Sequence, residues 1–238
     1  MAKAREIHDT PELCVTDGFR PLAGRSTADR IAHYRTTVLD APANRWEPYF
    51  SLASIEAMAG IGQDALKTLE TARARHTPAY KTAFVSGVIQ GMQGNLVEAE
   101  RSLREALQAA PPRALRDKGE ISFNLGFALE NQGRLSDAVA SFQECGRFTG
   151  DRARSGIAIA RCLRKSGDLK GASTAIEEVL RLETMAARPT GESRAETARI
   201  RTAQGRIAEA LPLMQEAVRI APGLYDKELQ DLQAPSRR

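Results

Sequence analysis

Residues 87–111 read GVIQGMQGNLVEAERSLREALQAAP. Gly87 and Ala99 are small, Leu103 is bulky and Ala106 is small again, while Gly94 and Pro111 punctuate the run. Two antiparallel helices approach closely only where side chains are small, so Gly87 and Ala99 mark facing positions of a helical hairpin. Glycine reaches the left-handed conformation that ends one helix and turns the chain, the role assigned to Gly94. Proline cannot continue a helix, so Pro111 stops the second one. The same order recurs along the chain. Glycines followed five residues later by alanine occur at Gly60/Ala65, Gly94/Ala99, Gly133/Ala138, Gly167/Ala172 and Gly205/Ala210, with glycine spacings of 34, 39, 34 and 38.

A 34-residue helix–turn–helix period resembles the tetratricopeptide repeat (TPR) family. The family pattern has a small residue at position 8, a turn near 15, Ala at 20, a bulky apolar residue at 24, Ala at 27 and often Pro at 32. The second copy, quoted above, fits it throughout. The fifth supplies Ala198, Gly205, Ala210, Met214, Ala217 and Pro222, and the first supplies Ala53, Gly60, Ala65, Leu69 and Ala72, with proline one place late at Pro78. The third gives Gly126, Gly133, Ala138, Phe142 and Cys145, with Gly150 in place of proline. The fourth keeps Ala160, Gly167, Ala172 and Ile176 but departs at Val179 and Thr184. An ordinary helical bundle would have to explain five copies in register. The resemblance therefore implies an all-α solenoid, a TPR superhelix of about five repeats over residues 46–222.

The remaining segments are read around that array. Residues 1–25 contain Pro11, Gly18, Pro21 and Gly24 and little periodicity, and are expected to be an irregular arm. A helix over 26–41, with Ile31, Tyr34 and Val38 on one face, is expected to cap the first repeat. Residues 223–234 carry Leu224, Leu229 and Leu232 among charges and are expected to be the C-terminal cap that solenoids require. Residues 235–238 form a basic tail. The extra residues at 112–118 and 185–190 are expected to be loops between repeats.

Composition excludes several functions. Hydrophobic residues are 42% of the chain, enough for a core, but aromatics are only 5%, which suits helices packed through small side chains. Residues 1–30 lack the apolar core of a secretory signal, and no stretch of about 18 apolar residues could span a membrane. Cys14, Cys145 and Cys162 are an odd number without metal or redox spacing, so a reduced, cytoplasmic protein is expected. Phosphate loops, nucleophile elbows and zinc-binding motifs are missing, and His8, His33 and His76 are scattered. No enzymatic activity, cofactor or metal is expected.

The resemblance also implies where a partner would bind. In TPR proteins the first helix of each repeat, helix A, lines a concave groove through positions 2, 5, 9, 12 and 13. Carried onto this sequence, those positions give an apolar and aromatic end, Phe50, Met58, Phe84, Val88, Met92, Phe123 and Phe127. They give a cationic end at Arg154, Arg161, Arg164, Lys165 and Arg199. Residues 147–206 carry 13 basic and 7 acidic side chains, a net of +6 in a chain whose formal charge is +4. This pattern implies a non-catalytic adaptor, scaffold or assembly factor that holds a partner peptide or helix with apolar and acidic residues. The competing reading packs the phenylalanines between helices and leaves the arginines as a solvated face. The carboxylate clamp of some TPR proteins needs Lys at position 5 and Asn at position 9. Here those positions hold Phe50, Phe84, Phe123, Ile157 and Ala195, and Ser54, Val88, Phe127, Arg161 and Arg199, so the clamp is not built.

Two further readings stand beside this one. The basic cluster of the last two repeats could meet the phosphates of RNA or DNA, although no aromatics are interleaved with it in sequence for base stacking. Self-association into a homo-oligomer could use the N-terminal arm, with Leu13, Val15, Phe19 and Leu22.

Overall fold

The computed structural model describes residues 26–42, 45–75 and 77–234, apart from the side chain of Met58. The expected arm over residues 1–25, the tail over 235–238, and with them His8, Cys14 and His76, lie outside the described residues. Among those described there are twelve helices and no strand. The chain divides after Ala110 into two units.

The first unit holds α1 (Thr27–Leu39), α2 (Glu47–Met58), α3 (Gly62–Arg73), α4 (Ala79–Met92) and α5 (Leu96–Ala109). Two hairpins, α2–α3 and α4–α5, stack through α3 and α2 against α4, and α1 lies on α2. The Ser26 hydroxyl accepts from the Asp29 amide and so caps α1, one of the four donors a helix start leaves unpaired. The buried face of α1 packs Tyr34, with Ile31 and Val38 beside it, on Leu52 and Ile55.

The second unit holds three hairpins, α6 (Leu115–Asn131) with α7 (Leu135–Thr149), α8 (Arg152–Lys165) with α9 (Leu169–Ala186), and α10 (Gly191–Ala203) with α11 (Ile207–Ile220). A short α12 (Asp226–Gln233) packs on α11, and Leu229 and Leu232 join Tyr225 against Met214 and Ala217. Successive hairpins pack through α7 on α8, and through α8 and α9 on α10.

The residues that define the repeat do what their types dictate. Gly60, Gly94, Gly133, Gly167 and Gly205 all have φ between 76° and 88°, the left-handed region, with no atom near the place of a side chain. Backbone conformation alone, not lack of room, demands glycine there. The residues at positions 8, 20, 24 and 27 are buried in all five copies. At Gly126 a Cβ would lie 2.6 Å from the Phe142 ring, and at Gly87 it would lie 2.7 Å from Leu103. The small residue at position 8 therefore makes room for the bulky residue at 24 of its own hairpin.

The fourth copy keeps its shape by a local exchange. Val179 is fully buried where the other copies have Ala or Cys, and the extra methyls are met by Gly156 on α8. A Cβ on Gly156 would stand 2.6 Å from Val179 Cγ2. The extra residues between repeats are corrected in part. Residues 115–118 are already the first turn of α6, and α9 continues through Met185 to Ala186, where Ala187 ends it at φ 50°. Leu115–Lys118 and Met185–Ala186 are mostly good helix formers, so each helix takes up the part of its stretch that lies clear of Pro112 and Pro189.

Candidate partner-binding surface

The helix-A positions carry two different kinds of side chain, and the structure treats them differently. On the first unit Phe50, Phe84 and Val88 are buried and Met92 is half-buried, while the side chain of Met58 lies outside the described residues. On the second, Phe123 is buried and Phe127 half-buried. The expectation of a solvent-facing aromatic wall is corrected at Phe50, Phe84, Phe123 and Val88, which are core. The physical reason is visible in the second unit. Phe123, Phe127 and Phe142 meet edge to face with centroids 5.0–5.5 Å apart, so the rings of α6 find their partners on each other and on α7. Only Met92 and Phe127 of the described apolar set keep a substantial part of their surface.

The cations are neither core nor a simple solvated face. Arg154 Nη1 donates to both carboxylate oxygens of Glu120, at 2.9 and 3.0 Å. Arg161 donates through Nε and Nη2 to the two oxygens of Glu130, at 2.8 and 2.9 Å, and Lys165 Nζ adds a third bond at 2.8 Å. Arg164 Nε reaches Glu196 at 2.6 Å, and Arg199 bridges Glu196 and Glu228. Arg161 also lies 3.7 Å from Glu192. These pairs join α6 to α8, α8 to α10 and α10 to α12, one helix A to the next. The first unit repeats the device once, with Glu56 accepting from Arg35 of α1 at 3.1 Å and from Thr68 of α3 at 2.7 Å.

Within this lattice Glu120, Glu130 and Glu196 lie deeper than the cations they hold, whereas Glu192 and Glu228 lie nearer the surface than theirs. The Glu130 and Glu196 side chains are 3% and 1% exposed, whereas Lys165 is 45% exposed. Three arginines also lie over aromatic faces. Arg154 sits 3.6 Å over the Phe123 ring, Arg161 5.0 Å over Phe127 and Arg199 5.8 Å over Tyr225. The sequence shows no interleaving of aromatics with arginines because these partners lie on different helices. Arg154 and Arg161 themselves occupy those faces, so a nucleic-acid base would have to displace them to stack on Phe123 or Phe127.

Titration follows from the same geometry. Burial works to raise the carboxyl of Glu130, but the hydrogen bonds and charges of Arg161 and Lys165 outweigh it and hold the group below its ordinary value. Glu192 moves the other way, because burial outweighs the attraction of Arg161 and Arg199. Burial pushes the Cys145 thiol up to about 11 and the Cys162 thiol up to about 12, with nearby Glu130 adding to the second. Such thiols are protonated and inert, which fits Cys145 in the place of a small packing residue.

The residues that sequence reading missed are the glutamates. Glu120 pairs 34 residues ahead, Glu130 pairs 31 and 35 ahead, and Glu196 pairs 32 behind. Each separation is close to one repeat, so opposite charges a period apart on helix A were the available signal.

Comparison with known proteins agrees with this geometry. The tetratricopeptide-repeat pattern matches residues 52–114 and 157–225, more than half of the chain. The chain belongs to the TPR family. Solved structures similar to this TPR protein include a chain of the APC/C hetero-tetramer Cut9–Hcn1, with a TM-score of 0.68 and 15% identity. That match covers 88% of this chain but only 40% of the other. Pseudomonas aeruginosa pilF matches with a TM-score of 0.62 and 16% identity, covering 86% of this chain and 90% of pilF. YrrB, a TPR protein with an unusual peptide-binding site, matches with a TM-score of 0.53 and 16% identity over 82% and 97% of the two chains. These likenesses establish the fold. No curated protein matches the chain in sequence. In TPR terms the ion pairs occupy helix-A positions 2, 6, 9, 12 and 13, so most of the lattice falls on positions where the family meets its ligands. TPR repeats serve typically as non-catalytic interaction modules, and among the described residues no helix is long and apolar enough to cross a membrane.

Proposed function

We infer that this chain is a non-catalytic protein-interaction scaffold, an adaptor or assembly factor of the cytoplasm, that receives a partner peptide or helix on its helix-A faces. The observation that carries the reading is a division of labour in the later repeats. Positions 8, 20, 24 and 27 are consumed by packing in all five copies, whereas helix A keeps partly exposed side chains at Met92, Phe127, Arg154, Arg161, Arg164, Lys165 and Arg199. Met92 and Phe127 offer apolar contact. Lys165 gives Glu130 a single hydrogen bond, and Arg154 donates to Glu120 through Nη1 alone, so ammonium and guanidinium hydrogens on both remain for an acidic group of the partner. The glutamates beneath hold these cations in place, which lowers the ordering cost of binding. YrrB, a TPR protein of similar fold, has a peptide-binding site, which supports a peptide as the class of ligand.

The test is site-specific photo-crosslinking in the native cells. A crosslinker at Phe127 or Lys165 of the second unit is expected to trap one partner that a crosslinker at the exposed Arg181 of α9 does not. The purified partner should then bind Phe127→Ala and Lys165→Glu proteins more weakly. Equal trapping at all three positions would reject the reading.

A further inference from the structure

In the charge lattice of the second unit, Glu120, Glu130, Glu196 and Glu228 each accept at least two hydrogen bonds. Glu192, on the first turn of α10, accepts none among the described residues. Its side chain is 40% exposed, and its Oε1 lies 3.7 Å from Arg161 Nη1, beyond hydrogen-bond reach. Glu130 grips Arg161 side-on through Nε and Nη2, so the Nη1 edge, turned to Glu192, keeps both its hydrogens undonated among the described residues. The backbone that carries Glu192 is fixed by contrast. Thr190, Ser193 and Arg194, on either side of it, all donate to the buried Glu183 of α9, at 2.6, 2.7 and 3.2 Å. Only the side chain is loose.

We propose that the Nη1 edge of Arg161 is a binding site for a carboxylate side chain of the protein partner, and that Glu192 covers it in the free protein and swings into water when the partner docks. The proposal rests on the scaffold reading for its partner and names one contact of that surface. A guanidinium carries five N–H donors in a planar fork, and its side-on and end-on edges each match a carboxylate. Arg161 uses the first edge fully and the second not at all. With Glu130 gripping one edge and the Phe127 ring 5.0 Å below, the open edge is already oriented, which lowers the ordering cost of a ligand. A carboxylate arriving from the groove reaches hydrogen-bond length, which Glu192 on its fixed turn does not. Charge sets the class of ligand. The lattice holds five cations and five carboxylates, so the departure of Glu192 vacates a single negative charge, that of one carboxylate. Glu192 also leaves easily. Burial outweighs the attraction of Arg161, Arg199 and Arg154 and raises its carboxyl, so the charged form is held at a cost that rotation into water relieves.

The Nε–Hε resonance of Arg161 supplies the readout, assigned by its disappearance in Arg161→Lys. Full-length wild-type and Glu192→Gln proteins are titrated at pH 7 and constant ionic strength with Nα-acetyl-glutamate N-methylamide. The glutamine analogue serves as an uncharged isostere. The carboxylate probe is expected to shift the resonance saturably in Glu192→Gln, binding roughly five- to tenfold more tightly than in wild type, as for a site open only a tenth to a fifth of the time. The uncharged probe should not shift it. The urea midpoint of Glu192→Gln at pH 7 should not lie below that of wild type, and Glu192→Ala replaces it if the glutamine variant loses its helical circular dichroism. Equal affinity for the carboxylate probe in the two proteins, or an equal shift with the uncharged probe, would overturn the assignment. So would a lowered midpoint in both Glu192 variants, since Glu192 would then be a structural member of the lattice. A small probe reports on Arg161 whether or not a partner is trapped at Phe127 and Lys165, so either reading can fail alone.

Discussion

At the scale of the residue, the repeat is a rule about volume. Position 8 must be small because position 24 of the same hairpin reaches into it, as Gly126 does for Phe142 and Gly87 for Leu103. The fourth copy tests the rule, since Val179 is larger than its counterparts and Gly156 yields the room. Gly156→Ala should destabilise the second unit by about 1–3 kcal/mol, the usual cost of overpacking. Val179→Ala alone should cost about 2 kcal/mol through the cavity it leaves. The double variant should cost clearly less than the sum, because the new Cβ occupies part of the vacated space. Urea unfolding of the four proteins measures this coupling, and strict additivity would mean that the two side chains do not share a space. The turn glycines and small positions could be read from sequence because they obey local spacing, repeated five times. The burial of Phe50, Phe84 and Phe123 could not, since an apolar side chain on helix A serves equally as core or as surface until its neighbours are known.

At the scale of the element, α8 is the member that charges hold. It meets α6 through Arg154, Arg161 and Lys165, and α10 through Arg161 and Arg164. Glu130 serves two of these cations from a buried position, so Glu130→Gln should leave Lys165 without its carboxylate and Arg161 with only the longer contact to Glu192. The expected loss at pH 7 is about 3 kcal/mol, the low end for a broken buried pair, because Lys165 is partly exposed. The pH dependence follows from the lowered carboxyl of Glu130. Below the ordinary carboxylate value of 4.5 the unfolded chain takes up the proton first, so the stabilisation is complete above that value. It is lost progressively as pH falls through the folded-state value. Glu192, whose carboxyl is raised, works in the opposite sense, its cost being relieved as pH falls towards 4.5. Urea midpoints from pH 7 down to about 3 should therefore fall less steeply in Glu130→Gln than in wild type. Parallel curves would show that Glu130 does not carry the acid dependence. These pairs escaped the sequence reading because partners 31–35 residues apart are invisible to any window the length of one helix.

At the scale of the whole molecule, burial of two thiols offers a probe of the second unit. Cys145 and Cys162 are both buried, with thiols pushed up to about 11 and about 12. At pH 8 their thiolate fractions should be at least roughly a hundredfold below that of an ordinary cysteine. In a Cys14→Ser protein, labelling by a thiol reagent should be slow in native buffer and should rise with urea along the unfolding curve. Fast labelling of both thiols in the native protein would contradict their burial. Sequence by itself determined the helical hairpins, their number and their turns. Backbone conformation and side-chain volume act within a few residues, and the same requirement was written five times. Only the tertiary structure decided which phenylalanines are core and that the basic stripe is held by glutamates of neighbouring helices, three of them deeply placed. Those outcomes depend on what stands opposite each side chain, and in a stacked repeat the opposite residue comes from the next hairpin rather than from the neighbouring sequence.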